Sequence, residues 1–256
     1  MSPSFAYIYD GMLEHPSWVK QVARMEAEVG RLGVQGPILR QGFHEVESKL
    51  KEVLEQGIKN LIFVGTDPWF LQWIPWIAEH RGISVGYLPL QVSALGQAFG
   101  IPPLAAGVGV LAARVIRTID LGSANQRPFL TEAIAIKTSA KLELEGSYAV
   151  SARAPSPLAV QNFAFEAKKG RVISTPADGL LEAVIQTSME RKTWLGLWKT
   201  TDVEETRIAF TKACVKDDPE GAVQFTVDGM PMKAKEVNFS VLPGAMEVIV
   251  GPDRGF

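Results

Sequence analysis

This chain of 256 residues has few cysteines and histidines, a small net charge and no long apolar run. The single cysteine, Cys214, cannot form an internal disulfide, which excludes a disulfide-stabilised scaffold and fits a reducing compartment. The three histidines, His15, His44 and His80, are scattered and do not show the spacing of a metal site. The net charge of -2 argues against broad electrostatic binding to nucleic acid, so we expect no nucleic-acid partner.

Segments that could enter a membrane are also missing from the sequence. The longest apolar stretch, residues 104–116, is short and is interrupted by glycine and arginine, so it cannot span a bilayer as a helix. The first residues carry no basic segment followed by a long apolar core, which is the pattern of a secretory signal. We therefore expect a cytoplasmic protein without a transmembrane segment.

Strand and helix patterns alternate through the first half of the chain. Apolar residues recur at helical spacing in three segments, residues 16–32, 46–56 and 69–80. Short apolar runs between these segments predict strands at residues 5–9, 36–40, 61–64 and 83–88. Because such alternation builds a parallel sheet covered by helices, the sequence predicts a doubly wound α/β domain.

The second half of the chain has a different hydrophobic period. From about residue 129, apolar residues alternate with polar ones in short segments separated by Gly, Pro and Asp clusters. This pattern is typical of an antiparallel β-sandwich. The sequence therefore predicts two domains, an α/β domain over residues 1–125 and a β-sandwich domain over residues 126–256.

The most informative segment joins the strand at residues 61–64 to the helix after it. In open α/β sheets, ligands bind where strands end and helices begin, and glycines let backbone N–H groups approach a phosphate. Here Gly65 is the only glycine of the turn, Pro68 has no N–H to donate, and Trp69 is bulky. The segment has the position of a phosphate-binding loop, but its composition predicts weak binding.

Several segments, taken in chain order, resemble the diacylglycerol kinase catalytic-domain family, the bacterial lipid kinases related to NAD kinases. The matching segments begin with the loop Phe63-Val-Gly-Thr-Asp-Pro-Trp69 and continue with Tyr87-Leu-Pro-Leu90, Phe99-Gly-Ile-Pro102, Ile119-Asp-Leu-Gly122, Asp178-Gly-Leu-Leu-Glu182, Val227-Asp-Gly-Met-Pro231 and Leu242-Pro-Gly-Ala-Met246. The resemblance spans nearly the whole chain and implies the family's α/β-then-β fold.

The resemblance also implies a set of site residues. Nucleotide contacts would come from two loops, at Gly65, Thr66, Asp67, Gln91 and Ser93. Asp228 matches the family's proposed general base, and an active enzyme would use ATP and magnesium.

The chain departs from the family in these same loops. The family's Gly-Gly-Asp-Gly-Thr has become Gly-Thr-Asp-Pro-Trp, and the second loop has lost its leading glycine and its asparagine. The glutamate of the family's Asp-Gly-Glu segment is Met230. The resemblance therefore supports the fold more strongly than it supports kinase activity.

The individual residues leave alternatives open. Asp67 could anchor a metal or cap the helix that follows, and the Asp-Pro pair favours the cap. Asp228 could be a catalytic base or the first residue of an Asp-Gly hairpin turn, and Asn would also tolerate that turn. The tryptophans at 69, 73 and 76 predict a buried helix face rather than a ligand wall. Trp194 and Trp198 could form an exposed contact with a membrane or a second copy.

These observations support three hypotheses about function. The leading one is a diverged member of the lipid-kinase fold with impaired ATP binding, which keeps an interdomain cleft for a nucleotide, lipid or protein partner. The first alternative is an active lipid kinase that depends on ATP and magnesium and phosphorylates a lipid hydroxyl through Asp67 and Asp228. The second is a structural or assembly protein that forms a homodimer through its β domain.

Overall fold

The computed structural model describes residues 5–40, 43–138, 141–151, 156–166, 171–192, 199–216 and 222–254. The chain forms two compact units. The first, which we call the α/β unit, holds residues 1–119, 165–173 and 244–256, and the second, the β unit, holds residues 120–164 and 174–243. The sequence pattern suggested one boundary near residue 125, whereas the last residues of the chain return to the α/β unit.

The α/β unit is built on a parallel sheet. Its elements, in chain order, are β1 (Phe5–Tyr9), a 3-10 helix (Gly11–Glu14), α1 (Val19–Arg31), β2 (Ile38–Leu39), α2 (Phe43–Glu55), β3 (Asn60–Gly65), α3 (Asp67–Leu71), α4 (Ile74–Glu79), β4 (Ser84–Pro89), α5 (Ala94–Phe99) and α6 (Ala105–Ala113). The strands pair in the order β2-β1-β3-β4. Every residue of β1, β3 and β4 is buried, and apart from Asn60 and Ser84 at the strand starts their sequences are apolar.

The helices pack as the hydrophobic spacing predicts. In α1 the buried side chains are Val22, Met25 and Val29, which share one helix face. The helix predicted over residues 69–80 is divided into α3 and α4, because Pro75 lies in the first turn of α4 and cannot continue a helix from the preceding turn. The buried aromatic face is confirmed for Trp73 and Trp76, which are 1% and 6% exposed, whereas Trp69 is only half-buried.

The β unit consists of antiparallel strands. The elements after α6 are β5 (Val115–Ala124), β6 (Arg127–Phe129), β7 (Glu132–Thr138), β8 (Lys141–Leu144), β9 (Tyr148–Ser151), β10 (Ser156–Gln161), β11 (Ala164–Glu166), β12 (Arg171–Ser174), β13 (Leu181–Lys192), β14 (Lys199–Phe210), β15 (Lys212–Lys216), β16 (Val223–Val227), β17 (Met230–Ala234) and β18 (Glu236–Val250). One sheet has the order β14-β13-β10-β7-β16-β17. Strands β15, β8 and β9 follow one another beside the first residues of β18. Alternate residues of these strands form an apolar core, as the period-two pattern predicts.

The final strand serves both units. Residues 236–240 of β18 pair antiparallel with β15, and residues 247–248 pair in parallel with β4. The fold class predicted from the sequence, an α/β domain followed by an antiparallel β domain, is confirmed. Within the described ranges, no helix has the length and apolar character needed to cross a membrane. Trp194 and Trp198 lie outside the described residues.

Candidate functional site

The predicted nucleotide loops meet at the carboxyl edge of the parallel sheet. Strands β1, β3 and β4 run in register, with Tyr9 beside Val64 and Gly65 beside Pro89, so their ends lie side by side. The residues that follow these strands include Asp10, Thr66 and Asp67, and Ser93. We call Asp10, Thr66, Asp67, Ser93 and the β4 residue Tyr87 the strand-end cluster.

The Asp10 carboxylate accepts hydrogen bonds from Thr66. Its side chain is buried, and its Oδ2 accepts hydrogen bonds from Thr66 Oγ1 at 3.1 Å and from Thr66 N at 3.4 Å. Its Oδ1 accepts from Met12 N at 3.0 Å, which caps the short 3-10 helix. Both donors of Thr66 therefore point to a carboxylate that belongs to the protein.

Asp67 bonds to groups far from it in sequence. Its Oδ1 accepts from the Tyr87 hydroxyl at 2.6 Å, and its Oδ2 accepts from Leu95 N at 3.2 Å. The expectation that Asp67 caps α3 is wrong, because Thr66 is the N-cap residue and Asp67 is already inside the helix. Burial, followed by the negative charge of Asp67, raises the pKa of Tyr87, so the phenol stays protonated and keeps donating.

Ser93 begins α5 as an N-cap residue. Its Oγ accepts from Gly96 N at 3.0 Å, as expected for a serine in extended backbone before a helix. With Leu95 N bonded to Asp67, two amides of the first turn of α5 already have side-chain acceptors. Gln91 is exposed on the turn between β4 and α5.

Trp69 covers Gly65 at the end of β3. A Cβ atom built on Gly65 would lie 2.5 Å from Trp69 Cε3 and 2.7 Å from Asp10 Cβ. The indole ring is held by other aromatic rings, with centroid distances of 6.0 Å to Phe63 and 6.1 Å to Trp73. The space that a glycine leaves for a close phosphate approach is therefore filled by a side chain of the loop itself.

Asp228 lies in the β unit, at a hairpin turn between β16 and β17. Asp228 and Gly229 have φ angles of 47° and 79°, as a two-residue turn of this kind requires. The carboxylate is buried and accepts from Leu130 N at 2.7 Å, Thr131 N at 2.9 Å, Thr131 Oγ1 at 2.5 Å and Glu132 N at 3.2 Å. It thereby fastens the hairpin to the segment between β6 and β7.

The surroundings of Asp228 bear on its predicted catalytic role. Burial raises its pKa above the usual value, while the hydrogen bonds from Thr131 and the neighbouring amides act in the opposite direction. Three of the four donors bond to Oδ1, so a free acceptor position remains only on Oδ2. Its role as a general base stays a prediction.

The described residues contain no group of three or more His, Cys, Asp or Glu side chains that could hold a metal ion.

No protein-family model matches the chain, and no curated protein matches its sequence significantly. Solved structures do match it. A diacylglycerol kinase from Bacillus anthracis strain Sterne superposes with a TM-score of 0.76 at 12% identity, covering 98% of this chain and 97% of that one.

Two nucleotide-bound kinases share the same architecture. An NAD kinase from Archaeoglobus fulgidus in complex with ATP gives a TM-score of 0.54 at 12% identity, over 97% of this chain and 94% of that one. Yeast NADH kinase complexed with NADH gives 0.58 at 10% identity, over 99% and 85%. The chain has the fold of the diacylglycerol kinases and NAD kinases. At these identities the likeness establishes the fold, and it confirms the fold that the sequence resemblance implied.

Sequence reasoning missed two members of the strand-end cluster, Asp10 and Tyr87. Asp10 could have been found, because it is a polar residue directly after a buried strand, at the edge where parallel strands place ligand groups. Tyr87 gave no such signal, since an aromatic residue inside an apolar strand is predicted to be core. Its partner Asp67 is 20 residues away, and only the β3–β4 register brings the two together.

Proposed function

We propose that this protein is a diverged member of the lipid-kinase fold that works by binding a partner or ligand and does not transfer phosphate from ATP. The observation that carries the proposal is the position of Trp69 over Gly65, and the Asp67 bond to Leu95 N, a backbone amide in the first turn of α5, adds to it. In the strand-end cluster the protein's own carboxylates occupy the donors that a phosphate would need. ATP with magnesium therefore does not fit this edge of the sheet as it stands.

The electrostatics support the same conclusion. A phosphate that reached the Leu95 amide would displace Asp67 and would then lie beside two carboxylates, those of Asp67 and Asp10. Like charges held a few ångströms apart repel, and each buried hydrogen bond left unmade costs about 1–3 kcal/mol. Two such losses weaken binding by roughly 30-fold or more.

Steric filling adds to the electrostatic cost. Trp69 lies over Gly65, and Pro68 removes one amide from the turn. Moving Trp69 away would expose an aromatic surface that now packs against Phe63 and Trp73. A nucleotide phosphate would have to offset this loss as well.

A loop-restoring variant tests the proposal. The triple substitution Thr66→Gly, Pro68→Gly and Trp69→Thr gives the family's Gly-Gly-Asp-Gly-Thr sequence. We expect the wild type to show no labelled phosphate transfer from ATP to diacylglycerol or to long-chain alcohols, and we expect the variant to bind ATP more tightly than the wild type does. The matched control is Pro68→Gly alone, which leaves Trp69 over Gly65 and should gain little.

Two outcomes would contradict the proposal. Phosphate transfer by the wild type to any acceptor would show that the strand-end cluster rearranges to accept ATP. A thermal-shift screen with nucleotides and lipids, with and without magnesium, tests the binding half, because a ligand of the folded state raises its melting temperature by mass action. No shift with any of them would favour the homodimeric assembly hypothesis.

A further inference from the structure

The β unit has a cavity of about 530 Å³ on the outward face of its smaller sheet. This face is the side of β8, β15 and β18 that points away from the apolar core, and it carries Glu143, Cys214 and Asn238 as cross-strand neighbours. The turn between β5 and β6 forms one wall. The volume lies in the range of small-molecule sites.

The wall formed by the turn is fixed in place. Asn125 donates its backbone N–H to Asn238 O at 2.9 Å and its Nδ2 to Glu236 O at 2.9 Å. Asn125 Oδ1 accepts from Asn238 N at 2.8 Å. Three hydrogen bonds from one residue hold the turn against β18, so the shape of the cavity is set before any ligand arrives.

The hydroxyl of Ser123 is the group in this cavity that most clearly indicates a ligand. Ser123 is 5% exposed and lines the cavity, and no group of the described residues bonds to its hydroxyl. The hydroxyl is not one of the fully enclosed unpaired polar atoms, so it opens to the cavity, where water or a ligand group can bond to it. Ser240 and the exposed Asn238 and Gln126 add a second hydroxyl and two side-chain amides to the lining. Hydroxyls and amides both donate and accept, which suits a ligand rich in hydroxyl groups.

The charges at the cavity favour one anionic group on that ligand. The Glu143 carboxylate is neutralised by Lys141 Nζ at 3.0 Å and Lys216 Nζ at 3.4 Å. Lys212 lies opposite Ser240 and, in the described part of the chain, forms no ion pair, although its charge also acts on Glu145, whose Oε1 accepts from Lys212 N at 3.1 Å. An ammonium group beside a neutral polar lining provides a counter-charge for a phosphate.

We propose that this cavity binds a polyol phosphate, with Ser123 and Gln126 contacting hydroxyl groups and Lys212 contacting the phosphate. The same chemistry is present in a soluble sugar phosphate and in the headgroup of an inositol lipid. The site lies wholly in the β unit and does not involve the strand-end cluster, so it can be tested independently of the proposed function.

Two of these residues allow variants that should weaken binding without lowering stability. Gln126 has a φ of 67°, a conformation that glycine adopts without strain, so Gln126→Gly should keep or raise the melting temperature while removing the side-chain amide. Ser123→Ala removes a hydroxyl without a protein partner and should leave stability unchanged. If the cavity is a site, each should weaken binding by about tenfold. A merely structural role would not produce this combination.

The binding experiment uses isothermal titration calorimetry with inositol 1-phosphate and glucose 6-phosphate, and sedimentation of the protein with phosphatidylcholine vesicles that contain phosphatidylinositol. Inositol and inorganic phosphate are the matched controls, and both should bind more weakly than the phosphorylated polyols. Binding of a soluble probe, weakened in Ser123→Ala, Gln126→Gly and Lys212→Gln, supports a metabolite. Binding to the vesicles alone, weakened in the same variants, supports a lipid headgroup.

Three results would overturn the proposal: no binding of any probe below the millimolar range, inorganic phosphate binding as tightly as the polyol phosphates, or binding that the three variants leave unchanged.

Cys214 provides a second readout, because it lines the cavity and is the only cysteine of the chain. A bound probe should slow its reaction with a small methanethiosulfonate reagent. Equal rates with and without a probe that binds would place the ligand elsewhere.

Discussion

Replacing Asp228 should destabilise the β unit strongly, whether or not the residue acts as a catalytic base. Its carboxylate accepts four hydrogen bonds, three from the backbone amides of residues 130–132 and one from the Thr131 hydroxyl. Asp228→Ala leaves these donors without an acceptor. Leu130 N is buried and cannot recover its bond from water, whereas Thr131 and Glu132 are half-buried and can do so in part. We expect a loss of about 3–5 kcal/mol in the free energy of unfolding.

Asp228→Asn separates the geometry of the turn from the carboxylate. Asparagine tolerates the φ of 47°, so the turn itself should survive. The side-chain amide, however, keeps only one acceptor oxygen, and its NH2 group would face the Leu130 N–H, donor against donor. We expect a loss of about 1–3 kcal/mol, in place of the nearly intact folding that the turn sequence alone predicts.

Urea unfolding followed by circular dichroism measures both losses. Hydrogen exchange at the amides of residues 130–132 locates the effect, because these amides should lose protection in both variants. The matched control is Asp178→Asn, since Asp178 is exposed and, among the described residues, accepts a single hydrogen bond, from Leu180 N at 3.0 Å. It should change stability by less than about 1 kcal/mol. If Asp228→Asn behaves like this control, the four-donor account is wrong.

Other residues give shorter tests. Gly65→Ala should destabilise the α/β unit by about 1–3 kcal/mol in urea unfolding, because the new Cβ would clash with Trp69. In a chain that already carries Trp69→Ala, the same substitution should lower the free energy of unfolding by less. Burial, followed by a hydrogen bond to Glu236, raises the pKa of Cys214 to about 11, so its alkylation rate should still rise about tenfold per pH unit between roughly pH 8 and 10. A rate that levels off near pH 9 would contradict this.

The fold could be predicted from the sequence because its signals are local and periodic. The uninterrupted apolar runs of β1, β3 and β4 indicate buried parallel strands, and the alternation after residue 129 indicates an antiparallel sheet. The split between α3 and α4 was also visible in principle, since Pro75 stands in the middle of the predicted helix.

The bonding of the candidate site could not be predicted in the same way. The loop sequence correctly places Gly65, Thr66 and Asp67 at the carboxyl edge of the sheet, but it does not say which groups their side chains meet. Asp67 has two partners, Tyr87 and Leu95 N, which lie 20 and 28 residues away. Such contacts depend on strand register and on side-chain rotamers, neither of which leaves a periodic signal in the sequence.

Calorimetric titration of the wild-type protein with ATP and magnesium tests most directly whether this protein has lost ATP binding. Because we propose that Asp67, Asp10 and Trp69 fill the edge where the phosphates would bind, we predict no heat of binding below the millimolar range. A dissociation constant in the low micromolar range that is lost in Asp67→Ala would contradict this account and favour an active kinase.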